Sequence, residues 1–359
     1  MATREEARAE REAKLDELHE ILTGAVDQLV SGADWARALA FTARFRSRSF
    51  NNSLLIWVQH QAAFDAGRAL EPVPSYVAGY RQWQQLGRQV QKGQPGYMIF
   101  APVTAKFASS NPADPSSWRR LGPREKHKVN EVVRTKLVGA RPAYVWDVSQ
   151  TDGDPIPEMP APKLLEGQAP AGLWDGLVAQ IEALGFTVSR VSHEDEIGGA
   201  DGRTSFDTRQ VAVRTNFAEA NQVTTLAHEL AHVLMHDPKD EDARQHRGIR
   251  EVEAESVALM ICAAHGMDTS VNTIPYVAGW ATSVKDADPV EVVKTTGERV
   301  RRTAAAILDQ LDTARVSDGS PPGLGRDKPA TTPPVRKQES PSVEQGHPRA
   351  IAVTAGRGL

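Results

Sequence analysis

His228-Glu229-Leu230-Ala231-His232 sets two imidazoles four residues apart, with a carboxylate beside the first. On a helix, positions i and i+4 lie one turn apart on one face, so both rings can reach one ion. Imidazole pairs suit a zinc-like cation, and a bound Zn²⁺ lowers the pKa of its water to about 7. Glu229 is then the base that takes a proton from that water and returns it to a leaving amine. The chemistry read from the motif is amide hydrolysis. The neighbours Thr224-Thr225-Leu226-Ala227 and Val233-Leu234 carry no charge, and a His-Glu-His set among apolar side chains is costly without a cation to hold.

A catalytic zinc keeps three protein ligands and one open position. The next acidic cluster is Glu251-Val252-Glu253-Ala254-Glu255. Glu251 and Glu255 share a helix face while Glu253 points elsewhere. We assign Glu251 as the third ligand and Glu255 as the group that orients a ligand imidazole; the swapped assignment stays open. His236 lies about 12 Å beyond His228 along a helix axis. It cannot share an ion with His228 from one continuous helix, and reads as a helix-end residue before Asp237-Pro238. Cys262, in the apolar run Leu259-Met260-Ile261-Cys262-Ala263-Ala264, reads as core. Stabilising a tetrahedral oxyanion needs a proton donor; Tyr276 is the candidate, with His265 behind it.

A second chemistry is suggested upstream. Arg37, Arg44, Arg46 and Arg48 precede Asn51-Asn52, and Arg81, Arg88 and Lys92 surround a glycine turn. Residues 119–141 hold eight Lys/Arg against two Glu, inside a chain of net charge −4. Such patches neutralise phosphates and release counterions. Tyr80, Trp83 and Tyr97 interleave with the charges and can stack unpaired bases. Each residue also has a plainer use: Trp83 as core, Asn51 and Asn52 as a helix cap, the 119–141 run as a solvated loop.

The elements that must position these groups follow from periodicity. Apolar spacing of three and four predicts helices at 5–31, 34–45 and 54–62, the last after an Asn51-Asn52-Ser53 cap. A short helix ends at 82–86. Strand, turn and strand are expected at 88–91, 92–96 and 97–103, then a polar 108–128 stretch and strand at 135–148. Prolines 155, 157, 160, 162 and 170 mark a linker. Beyond it come a helix to 184, strands at 186–191 and 210–214, and helices at 219–236, 248–265 and 288–313. The expected class is α+β, with units at 1–157 and 173–314, a linker at 158–172 and a disordered tail at 315–359.

With 42 Lys+Arg, 46 Asp+Glu and 40% hydrophobic residues, a wholly disordered chain is excluded. No apolar run approaches the roughly 18 residues of a membrane span, so no membrane partner is expected. A single cysteine excludes an internal disulfide or a Cys-based zinc cluster. The charged N-terminus has no apolar signal region, and a cytoplasmic location is expected.

Residues 223–237 with 250–258 resemble the ImmA/IrrE-like metallopeptidases, within the gluzincin-type zinc peptidases. The resemblance implies zinc held by two histidines and a downstream helical glutamate, and a zinc metalloendopeptidase acting on a protein substrate. It makes 210–214 a sheet element and an edge for an extended peptide. Glu255 and Val257 depart from the pattern, where that group more often shows Asn and Phe; this weakens a repressor-cleaving role and leaves the ligands intact. Phe50-Asn51-Asn52-Ser53-Leu54-Leu55, Tyr80-Arg81-Gln82-Trp83, Leu86-Gly87-Arg88-Gln89-Val90-Gln91-Lys92-Gly93 and residues 145–153 resemble the N-terminal domain of ArdC-type antirestriction proteins. That resemblance implies a single-stranded-DNA-binding module ahead of the peptidase, with single-stranded DNA as partner and protection of incoming or mobile DNA as role. Arg44, Arg46, Arg48, Asn51, Asn52, Tyr80, Arg81, Trp83, Arg88 and Lys92 are the candidate DNA contacts. The alternatives are a DNA-binding protein with a structural metal site, or a regulatory protease that cuts a repressor.

Overall fold

Helix α1 spans Arg4–Asp27. Ser31 and Asp34 exchange hydrogen bonds in a capping box that starts α2, Gly32–Arg44. Ser49, not the expected Asn-Asn-Ser, caps α3, Phe50–Asp65, so Asn51 and Asn52 lie inside its first turn. The computed structural model describes residues 4–29, 31–157, 164, 167–239, 249–268, 277–282, 284 and 287–324.

Next come β1 (Val77–Gly79), α4 (Tyr80–Gln85), β2 (Arg88–Val90), β3 (Tyr97–Ser109), β4 (Arg119–Arg120), β5 (Val132–Asp147) and β6 (Thr151–Gly153). Strands β1, β5, β3 and β4 form an antiparallel sheet in that order, and β2 pairs with β6. Strands β3 and β5 are longer than expected and pair over residues 97–109 and 132–145, with a bulge between Val103 and Thr104. The free edge of β3 at its start is closed by side chains. The Asn52 amide exchanges two hydrogen bonds with the Phe100 backbone, and the Gln59 amide does the same for Met98.

The second half holds α5 (Leu173–Ala183), β7 (Thr187–Val191), β8 (Gly202–Ser205), β9 (Gln210–Arg214), α6 (Glu219–Met235), α7 (Arg250–Ala264), α8 (Val277–Ala281) and α9 (Pro289–Asp309). Its sheet runs β7-β9-β8, with β7 parallel and β8 antiparallel to β9. The expected edge strand at 210–214 is therefore the central one, and the edge beside α6 is β8, which periodicity did not reveal.

Helix α7 is apolar almost all round and sits at the centre, packed on α2, α6 and α9. Trp35 of α2 donates through Nε1 to Ser256 Oγ of α7 at 2.9 Å, both buried. One hydrophobic cluster runs from Leu18 to Leu311, and residues 1–324 are one compact unit. The expected boundary near 157 is not a gap in the core. Residues 315–324, expected to belong to the tail, are tied to the rest of the fold. Val316 N donates to Ala264 O, Val77 N donates to Gly319 O, and Arg46 donates to the carbonyls of Val316 and Ser317. The strap 315–324 thus joins the end of α7 to α2 and β1. Residues 325–359 lie outside the described residues. Among those described, no helix is long and apolar enough to cross a membrane. The architecture is α+β.

Candidate metal centre

Helix α6 buries Leu226, Ala227, Leu230, Ala231 and Val233, which fixes its rotation. His228 and His232 then face α7, with their Nε2 atoms 3.0 Å apart. From α7, Glu251 Oε2 stands 3.5 Å from each Nε2. Ligand atoms about 2.0–2.1 Å from a tetrahedral ion stand roughly 3.3 Å from one another, so the spacing fits a zinc-sized cation. These three residues could together hold a metal ion. Glu255 Oε2 meets the far nitrogen of His228, Nδ1, at 3.1 Å. Glu251 faces the ion position and Glu255 the back of the imidazole.

The site opens on a cleft of about 770 Å³ lined by α6, α7 and the segment 199–206. Glu229 is buried and accepts a hydrogen bond from Thr204 Oγ1 of β8 at 2.5 Å. Gly202 backs this contact: a Cβ there would fall 2.6 Å from Glu229 Oε1 and 2.6 Å from Thr225 Cγ2.

Electrostatics follow from the crowding. Burial lowers the His228 pKa, but the hydrogen bonds it donates to Glu251 and Glu255 and the nearby carboxylate charge outweigh it and push His228 up to about 9. Hydrogen bonds with His228 and His232 hold Glu251 well below the usual carboxylate range. A cation in the site would replace the His228 proton.

His236 is the C-cap of α6, as a helix-end residue should be, but it is also buried and partnered. Its Nδ1 is 2.9 Å from His232 Nδ1, and its Nε2 is 3.0 Å from Glu253 Oε2. Arg299 of α9 donates to Glu253 Oε1 at 2.8 Å. Glu253 does point away from the ion position, and this chain is where it points. The signal was present in the sequence: His228, His232 and His236 recur every four residues.

His265 is fully buried between Ile261 O and Thr313 Oγ1 and does not line the cleft, which removes it as an oxyanion donor. Tyr276 lies outside the described residues. Cys262 is core, its thiol pushed up to about 11 by burial.

Five of the ten candidate DNA contacts have internal partners that explain them. Arg46 and Arg48 donate to backbone carbonyls. Asn52 closes the β3 edge. Trp83 is fully buried and donates to Trp146 O, and Arg88 ties β2 to Thr151, Gly153 and Asp154. Asn51 has a buried Oδ1 with no donor among the described residues. Arg44, Tyr80, Arg81 and Lys92 are exposed; Tyr80 and Lys92 line a groove with Trp146.

Residues 15–146 match the family model for the N-terminal domain of anti-restriction factor ArdC, and residues 181–269 that for the IrrE N-terminal-like domain. An uncharacterised protein of Bacillus anthracis is 24% identical over 330 residues, covering 86% of this chain and 52% of that protein. The chain thus spans about half the length of this curated relative. The metal-free crystal structure of the antirestriction ArdC protein from plasmid R388 is 18% identical, covers 81% of this chain and 97% of that one, and gives a TM-score of 0.45. Its Mn(II)-bound counterpart gives 19%, 80%, 97% and 0.43. The chain thus carries, in this order, a match to the ArdC N-terminal domain and a match to the IrrE N-terminal-like domain.

Proposed function

We propose that the chain is a zinc-dependent metalloendopeptidase whose N-terminal half binds single-stranded DNA, acting in the cytoplasm to protect incoming or mobile DNA from restriction. The observation that carries the enzyme is the convergence of His228, His232 and Glu251 beside Glu229 on an open cleft. A divalent ion held there supplies Lewis acidity to a water and to the scissile carbonyl. Glu229 accepts the proton of the attacking water and delivers it to the leaving amine. Thr204 keeps the Glu229 carboxylate in place. Glu255 orients His228 through Nδ1, and His236 does the same for His232. The free edge of β8 offers backbone groups to an extended peptide next to Glu229. A purely structural ion needs neither an open cleft nor a carboxylate beside it.

The DNA half rests on the match to the ArdC N-terminal domain and on the exposed Arg44, Tyr80, Arg81 and Lys92. The protective role rests on the likeness of residues 15–146 to the N-terminal domain of an anti-restriction factor alone. The test is proteomics of cells producing the full chain or its Glu229→Ala form. The proposal expects zinc in both and new protein termini only with the former; identical termini in the two would overturn the peptidase.

A further inference from the structure

The β3–β5 pair is buried at its base, through Tyr97, Ile99 and Val145; β5 is largely exposed from Val132 to Arg141, while β3 beyond Ala101 alternates exposed and half-buried residues and ends in buried Ala108 and Ser109. The far end gains β4 as a third strand, making a ribbon that carries most of the basic run. Paired residues of a sheet share a face. Phe107 pairs with Arg134 on one side and Arg120 on the other, Ala105 pairs with Lys136, and Ala101 with Arg141. Four cations therefore line one face of the ribbon. The Arg134 guanidinium sits 4.9 Å from the Trp118 ring centre, and Lys136 Nζ lies 5.2 Å from it and 5.4 Å from that of Phe107.

The carboxylates of the segment are engaged elsewhere. Glu125 and Glu131 both pair with Arg119, and they also accept from the backbone N–H groups of Gly122 and Lys128. Asp114 caps its own turn at Ser116. Arg120, Arg134, Lys136 and Arg141 meet no carboxylate among the described residues. Leu137, which pairs with Thr104 on the other face of the ribbon, is 70% exposed. Arg120 and Arg134 flank Phe107 from its two neighbouring strands, which gathers like charges on one face. A row of cations interleaved with aromatic rings matches a polyanion with unpaired bases.

We propose that the β3–β4–β5 ribbon is a nucleic-acid-binding arm, whose Phe107 face lies along the phosphate backbone of a single strand. The inference rests on the DNA-binding reading above and moves the main contact surface from the expected residues to this arm. Its probes are a fluorescent 30-nucleotide strand and the matching duplex, titrated with the full chain over a range of salt. The Arg120→Gln/Arg134→Gln/Lys136→Gln/Arg141→Gln variant should lose roughly 100-fold in affinity for the strand at about 0.1 M salt. Its salt slope should fall by about 2–3, at roughly 0.7 per phosphate contact. Zinc content and Tm report that the variant is folded; Arg141→Gln alone, outside the ribbon's cation–aromatic cluster, should lower the slope by about 0.7. Wild-type affinity and slope in both variants overturn the arm while leaving the DNA-binding reading intact. Absence of binding by the wild-type chain at low salt overturns both. Tighter binding to the duplex overturns the single-strand assignment.

Discussion

His232 Nδ1 and His236 Nδ1 lie 2.9 Å apart, and that contact fixes where two protons sit. A ligand imidazole that offers Nε2 to an ion carries its proton on Nδ1. His236 must then accept at Nδ1 and donate from Nε2, and Glu253 is placed to receive that bond at 3.0 Å. Arg299 neutralises the buried carboxylate. The chain His232-His236-Glu253-Arg299 is directional and satisfied at every step.

His236→Ala should therefore weaken metal binding about 10–100-fold in chelator competition. His236→Asn, whose amide oxygen can accept from His232, should recover part of that loss. Equal affinity in both variants and the wild type would show that the ring only fills space.

Metal uptake should be pH-dependent with a defined sign. His228, raised to about 9, must lose its proton to bind. Apparent affinity should climb about tenfold per pH unit toward 9 and then level. Metal-free protein should move the other way. A histidine raised in the folded state contributes stability that is complete below its unfolded pKa and is lost as pH rises through the folded value. Apo Tm should thus decline between about 6.5 and about 9, in thermal melts with chelator present.

Gly202→Ala should displace Glu229, because the new Cβ would meet its Oε1 at 2.6 Å. The expected outcome is zinc content near the wild-type value with peptidase turnover cut by about 100-fold or more. Unchanged turnover would mean that the Glu229 position seen beside β8 is not the working one.

His265 gives an acid-side prediction away from the candidate metal site. Burial depresses it to about 4, so below about 6.5 the unfolded chain takes up the proton first. Stability should fall as pH drops from about 6.5 to about 4, and His265→Gln should flatten that part of the Tm profile.

Much of the candidate metal centre was legible in the sequence, because helix geometry alone ties residue spacing to facing. The i, i+4 rule brings His228 to His232 and Glu251 to Glu255 without knowledge of the rest of the fold. Strand β8 was not legible: Gly202-Arg203-Thr204-Ser205 is short and polar, and its pairing comes from β9. The shared core was hidden for a different reason. Trp35 and Ser256 meet across 221 residues, and no local pattern encodes such a contact. The strap 315–324 is held by backbone and arginine hydrogen bonds, which hydrophobic periodicity does not record. Charge alone could not separate Arg46 and Arg88, which brace backbone carbonyls, from Arg134 on an exposed strand.

The most direct test is a crystal structure of the full chain grown with zinc, with data collected at the zinc absorption edge. The expected anomalous peak lies about 2.0–2.2 Å from Nε2 of both His228 and His232 and from the Glu251 carboxylate, with solvent completing the coordination on the cleft side beside Glu229. A peak elsewhere, or an ion closed off by a fourth side chain, would contradict a catalytic metal centre in this protein.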